Sequence, residues 1–121
     1  MSKRDALRAK TVGAPKNFRN KVVSVDGEDF EVRQLSVRGR LDVYNRSSKG
    51  GVLDPLQFQI WAVIATCYVP GTNEKVFDDT DYDLLVDQPT GSFVDKLSEV
   101  AIEMLGTEGK PTNDSAETQT Q

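Results

Sequence analysis

From Leu56 to Val69 the chain runs without a charged residue. Asp54-Pro55 stands in front of this stretch as a cap residue followed by a proline suited to a first helical turn. Pro70-Gly71 stands behind it as a stop. The spacing predicts a helix over 54–69. On a helical wheel Leu56, Ile60, Val63, Ile64 and Cys67 form one stripe, flanked by Trp61 and Tyr68. Phe58, Ala62, Ala65 and Val69 lie opposite, and only Gln59 and Thr66 mark a polar strip. A helix apolar on nearly all sides must be central in its fold or partly covered by a partner. The stretch is shorter than the ~20 residues a membrane span requires.

The segments around it read in turn. Val23 and Val25 alternate before Asp26-Gly27, and Phe30 and Val32 alternate after it. Asp-Gly supplies the positive φ angles of a two-residue hairpin turn. That turn sets Val23 opposite Phe30 and Val25 opposite Glu28, so that Val23, Val25, Phe30 and Val32 share one face. Ser36 is placed to cap a helix carrying Val37, Leu41 and Tyr44. Ser47-Ser48-Lys49-Gly50-Gly51 reads as a loop. Val76-Phe77 forms a short apolar latch, and Thr80 is expected to cap a brief helix with Tyr82, Leu84 and Leu85 that ends before Pro89. Phe93, Val94, Leu97, Val100, Ala101, Met104 and Leu105 hold one face of a last helix, which Gly106 stops.

The ends differ from this body. Residues 1–21 carry Lys3, Arg4, Arg8, Lys10, Lys16, Arg19 and Lys21 against the single acid Asp5, and lack hydrophobic periodicity. They read as a solvated basic arm with a short helical turn around Ala6-Leu7-Arg8-Ala9. No apolar segment of a signal peptide follows Met1. From Thr107 onward only Ala116 is apolar, so 107–121 read as a disordered tail.

Composition narrows the chemistry. The formal net charge is −4, which disfavours general nucleic-acid binding despite the basic arm. The chain has no histidine, the commonest general base and metal ligand, and one cysteine, so it forms no internal disulfide. Cys67, among apolar neighbours, reads as a buried and inert thiol in a reducing compartment. No Gly-rich phosphate loop is flanked by the strand and helix it needs. Asp79, Asp81 and Asp83 match positions one, three and five of a calcium loop. Leu84 stands where that loop needs glycine and Thr90 where it needs glutamate, so capping and a solvated acidic corner are expected instead. No catalytic, cofactor or metal residues are assigned, and an enzyme is the least expected class.

The order of elements carries a resemblance. Phe30-Glu31-Val32-Arg33-Gln34-Leu35-Ser36 is similar to the V-x-V-R-x-L-S/T strand-to-helix junction of the tail assembly chaperones of long-tailed (siphovirus-type) bacteriophages and prophages. A helix follows, then a long apolar helix. Next comes an aromatic with acids and a short Asp/Thr-rich helix, here Val76 to Asp81, and an amphipathic helix closes the domain. The resemblance covers roughly residues 20–106 and rests on this ordered set. The chain departs from the family in its longer basic arm and in lacking a glutamate-rich start to its first helix. The resemblance implies a protein absent from the finished virion, acting in the cytoplasm of the infected host. Such a protein coats the tape measure protein, keeps it soluble and helps tail tube subunits polymerise. It also implies, for many members, a longer form made by ribosomal frameshifting, and Glu108-Gly109-Lys110 are codable by a G-GGA-AAG heptamer.

The expected fold is α+β, mostly α: an N-terminal β-hairpin packed on a small bundle of about four helices. Its divisions are a mobile arm at 1–20, one domain at 21–106 and a tail at 107–121. Within the domain lie the hairpin 21–35 and helices near 36–47, 54–69, 80–87 and 91–105. The partner surface is sought among Tyr44, Phe58, Trp61 and Met104, although core packing is the default for Trp61 and Met104. A structural tail or head–tail junction protein retained in the virion is the alternative function.

Overall fold

A computed structural model describes residues 2–106; the expected tail and Glu108 to Lys110 lie outside the described residues. The architecture is α+β and mostly helical, as expected. The hairpin forms from β1 (Asn20–Val25) and β2 (Glu28–Arg33) in the anticipated register, with Val23 opposite Phe30 and Val25 opposite Glu28. Asp26 and Gly27 both take positive φ, 54° and 82°, as the two-residue turn demands. Val25 and Val32 are buried, and Val23 and Phe30 pack against the core beside them.

Helix α1 (Lys3–Lys10) gives the arm more structure than the single turn expected. Ser2 Oγ accepts from the Asp5 N–H, Asp5 sits in the first turn, and Arg8 and Lys10 sit in the last. None of its residues is buried. Helix α2 (Val37–Arg46) is capped as expected, Ser36 Oγ accepting from the Gly39 N–H at 3.1 Å. Its inward stripe differs from the expected one. Val37 and Leu41 are 75% and 57% exposed, while Arg40, Val43, Tyr44 and Ser47 face inward. That stripe keeps the i, i+3, i+4, i+7 spacing, but half of it is polar. Ser47 Oγ donates to the Val43 carbonyl at 2.7 Å, and Arg40 donates to the Leu105 carbonyl at 3.4 Å, so both polar groups are satisfied.

The segment read as a loop is a small hairpin, β3 (Ser48–Lys49) with β4 (Val52–Leu53), turned by Gly50 and Gly51 at φ 57° and 81°. It delivers Asp54, whose Oδ1 accepts from the Leu56 and Gln57 N–H groups and starts helix α3 (Pro55–Thr66). Helix α3 ends at Thr66 and not at Val69. Pro70 biases the residue before it toward extended backbone, and Cys67–Tyr68 pairs as β5 with Val32 and Glu31. The sheet therefore has three antiparallel strands in the order β1-β2-β5. Thr66, expected on a polar strip, is fully buried with its Oγ1 donating to the Ala62 carbonyl at 2.7 Å.

A 3₁₀ turn (Asp79–Asp81) leads into helix α4 (Tyr82–Val86), and helix α5 (Phe93–Leu105) closes the domain with Gly106 at φ 70°. Asp78, not Thr80, is the cap. Its Oδ1 accepts from the Thr80 N–H while Asp81 Oδ2 accepts from the Asp78 N–H, a reciprocal capping box. Helix α3 packs against α5, α2, α4 and β2. Val63, Leu97, Val32, Ala62 and Ala101 are wholly buried at its centre.

On the sheet's other face Glu31 is 8% exposed. It accepts from the Gly71 N–H at 3.0 Å and pairs with Arg33 at 3.3 Å. Arg33 donates to Asn73 Oδ1 and to the Thr72 carbonyl and lies 4.0 Å from the centroid of Tyr68. The Gly71 bond first, then Arg33, hold the Glu31 carboxyl below its ordinary 4.5. A folded-state pKa below the unfolded one gives stability that is present above the unfolded value and lost as pH falls through the folded value. Glu31→Gln is therefore expected to lower stability by about 1–3 kcal/mol at neutral pH. Denaturant titrations across the acid range should show the gap between wild type and variant closing below pH 4.5.

Candidate partner-binding surface

The four residues proposed as partner contacts occupy different places. Phe58 and Met104 are core residues, 7% and 4% exposed, which removes both from any surface of this conformation. Tyr44 is half-buried with its ring 5.1 Å from that of Phe58. Trp61 is also half-buried and stacks on Tyr82 at 4.8 Å. Burial takes precedence because α3 runs between α5 and α2 and presents an apolar side to each. Most of its excess apolar surface, which pointed to a partner, is absorbed inside the fold, and Leu56 in the first turn stays exposed.

Trp61 also belongs to a satisfied polar cluster. The Arg46 guanidinium lies 4.8 Å from the Trp61 ring centroid and pairs with Asp79 at 2.8 Å and Asp42 at 3.0 Å. With Asp81 engaged in the capping box, two of the three calcium-like carboxylates, Asp79 and Asp81, have protein partners. Among the described residues no group of three or more His, Cys, Asp or Glu is arranged to hold a metal ion. Cys67 is fully buried, and burial pushes its thiol up to about 11, so the nucleophilic thiolate is suppressed at neutral pH.

An apolar surface with the geometry of a binding site lies elsewhere, at the turn end of the sheet. Val25 and Phe30 of the hairpin, Val76 and Phe77 of the latch, and Phe93 at the start of α5 line an open groove of about 320 Å³. Phe77 and Phe93 stack with centroids 6.3 Å apart and planes 16° from parallel. Each element has a local reason to be there. The Asp-Gly turn ends the hairpin beside Val25, Val76 N–H donates to the Cys67 carbonyl at 3.1 Å, and α5 begins at Phe93. Asp26 and Glu28 form an acidic lip, and Lys96 stands 3.9 Å from Asp26 at one side. The groove accommodates apolar side chains and favours cations beside them.

Two smaller apolar exposures accompany it. Leu56 (58% exposed) and Val86 line a shallow groove with Leu85, Pro89 and Val94, and Val37 and Leu41 form a pair one turn apart on α2. Sequence reasoning found Phe30, Val76, Phe77 and Phe93 as core or latch residues. Their convergence on one groove follows from the tertiary path of 70–77, which no periodicity encodes. No protein-family model, curated protein or solved structure matches this chain. No helix among the described residues is long and apolar enough to cross a membrane.

The core assignment has a measurable consequence. Phe58→Ala is expected to cost about 3–5 kcal/mol and Met104→Ala about 2–5 kcal/mol of folding stability. Urea unfolding checks both, and a change within 0.5 kcal/mol of wild type, roughly what a surface position gives, contradicts the assignment.

Proposed function

We propose that this chain is a tail assembly chaperone of a long-tailed bacteriophage or prophage. On this reading it is a non-enzymatic binder that covers apolar stripes of the tape measure protein, keeps that chain soluble in the host cytoplasm and promotes tail tube assembly. The observation that carries the proposal is a convergence. Phe30 opens the strand-to-helix junction of the resemblance, Phe77 is its aromatic before the acids, and Phe93 begins its final helix. All three line one apolar groove.

The physical match is with a helical partner. An amphipathic helix docks by seating side chains at i, i+3 and i+4 in an apolar groove. The acidic lip of Asp26 and Glu28 suits lysines and arginines flanking such a stripe. The groove supplies orientation and contact area, and the net charge of −4 favours solubility of the complex.

Co-expression with the longest helical reading frame encoded downstream tests the proposal. The expected result is that the long chain is soluble with wild type, markedly less so with Phe77→Asp, and reduced with Glu28→Lys, a substitution at an exposed residue of the lip. A long chain equally insoluble with and without wild type ends the chaperone assignment, and rescue unchanged by both variants removes the groove from it. Mass spectrometry of purified virions is expected to find this chain missing.

A further inference from the structure

The outer edge of β1 carries an interaction of its own. The two-residue Asp26-Gly27 turn makes Val25 and Glu28 a hydrogen-bonded pair, so Val23 and Lys21 also direct their backbone groups to β2. The Gln34 N–H bond to the Arg19 carbonyl at 2.8 Å continues the same alternation. Asn20, Val22 and Ser24 therefore direct their backbone N–H and C=O groups away from β2. Among the described residues β2 is the one strand paired with β1. Helix α5 packs beneath, on the Val23 and Val25 face, and leaves the in-plane edge open.

This edge has one of the usual defences, an inward-facing charge. Natural edge strands are blunted by proline, a bulge, an outward or inward-pointing charge or a covering segment. Segment 20–25 has no proline, and its register with β2 is unbroken over all six residues. Its one lysine, Lys21, belongs to the inner face and reaches Glu103 of α5 at 3.7 Å. Val22 is 56% exposed on the opposite face of the sheet.

We infer that β1 pairs edge to edge with β1 of a second copy about a two-fold axis at Val22, joining two three-stranded sheets into one. Antiparallel pairing about that axis sets Val22 against Val22 and Asn20 against Ser24, and uses the outward groups of all three residues. The two exposed valines cover one another on the outer face. The ends are complementary in charge. The basic root of the arm, Lys16 and Arg19, comes alongside the acidic turn of the other copy, Asp26 and Glu28. A second copy satisfies the edge, the valine and the charges together. This contact shares Asp26 and Glu28 with the lip of the groove but none of Phe30, Phe77 and Phe93, and Val22 lies outside the groove, so a test at Val22 reads the inference whether or not the chaperone proposal stands.

Sedimentation equilibrium of the full chain at rising concentration is expected to show a monomer–dimer equilibrium. Val22→Lys, which sets two ammonium groups against each other on the axis, should abolish the dimer while leaving circular dichroism unchanged. A hydrogen-bonded antiparallel pair holds its Cα atoms about 5.5 Å apart, within disulfide reach. Val22→Cys should accordingly form a disulfide-linked dimer under mild oxidation, and Leu41→Cys should not. Val22→Cys carries the test if Val22→Lys fails to fold. A chain that is monomeric throughout, a dimer that a folded Val22→Lys leaves intact, or Val22→Cys that cross-links no better than Leu41→Cys overturns the inference. An edge protected only when another protein is added overturns it as well.

Discussion

The burial of a charge-free helix governs this molecule. Phe58, Ile60, Ala62, Val63, Ile64 and Thr66 of α3 are all buried. Fully burying a side chain such as Ile or Val contributes about 1.5–3 kcal/mol, against about 1 kcal/mol for a helix cap. Position is therefore set by burial, and the caps set where the helix starts and stops. Asp54 fixes the start, while Pro70 and the pairing of Cys67 with Val32 fix the end. Because the chain passes directly from α3 into β5, helix core and sheet form one unit. Glu31 and Arg33 then fasten the following loop to the sheet's open face.

That arrangement decides what remains for the surface. With α3 packed against α5, α2, α4 and β2, most of it is buried, and Leu56 in its first turn is its one exposed large apolar side chain among the described residues. Part of the remaining apolar surface lines a groove where short segments meet, at the hairpin turn, the latch and the start of α5, while Val22, Val37, Leu41 and Leu56 reach solvent elsewhere. Phe77 and Phe93 stack on each other and still leave an open groove, because neither the hairpin nor the latch extends over them. A fold that enclosed its long apolar helix less completely would present a broad sticky face. This one presents a defined groove with charges at its lip.

Much of the fold was legible in local rules. The Asp26-Gly27 turn fixed hairpin register by itself, and the Ser36 and Asp54 caps placed two helix starts. Other features depended on contacts that sequence spacing does not carry. The inward stripe of α2 was hidden because Arg40 and Ser47 are polar and satisfied, while Val37 and Leu41 are apolar and exposed. Pro70 disfavours helical backbone at Val69, but the end at Thr66 and β5 needed the tertiary pairing with β2. The candidate site was the least legible. Tyr44, Phe58, Trp61 and Met104 were chosen for type, and burial and stacking used them internally. The residues that line the groove carried core signatures in the sequence.

The central claim is that this chain meets its partner through the groove of Phe30, Phe77 and Phe93 while α3 stays enclosed. Amide hydrogen exchange of the chain, free and in complex with the long helical protein of the proposal, tests this most directly. New protection is expected at residues 25–30, 76–78 and 93–97, with α3 strongly protected in both states. Faster exchange in α3 on binding, or new protection confined to segments away from the groove, would contradict the account.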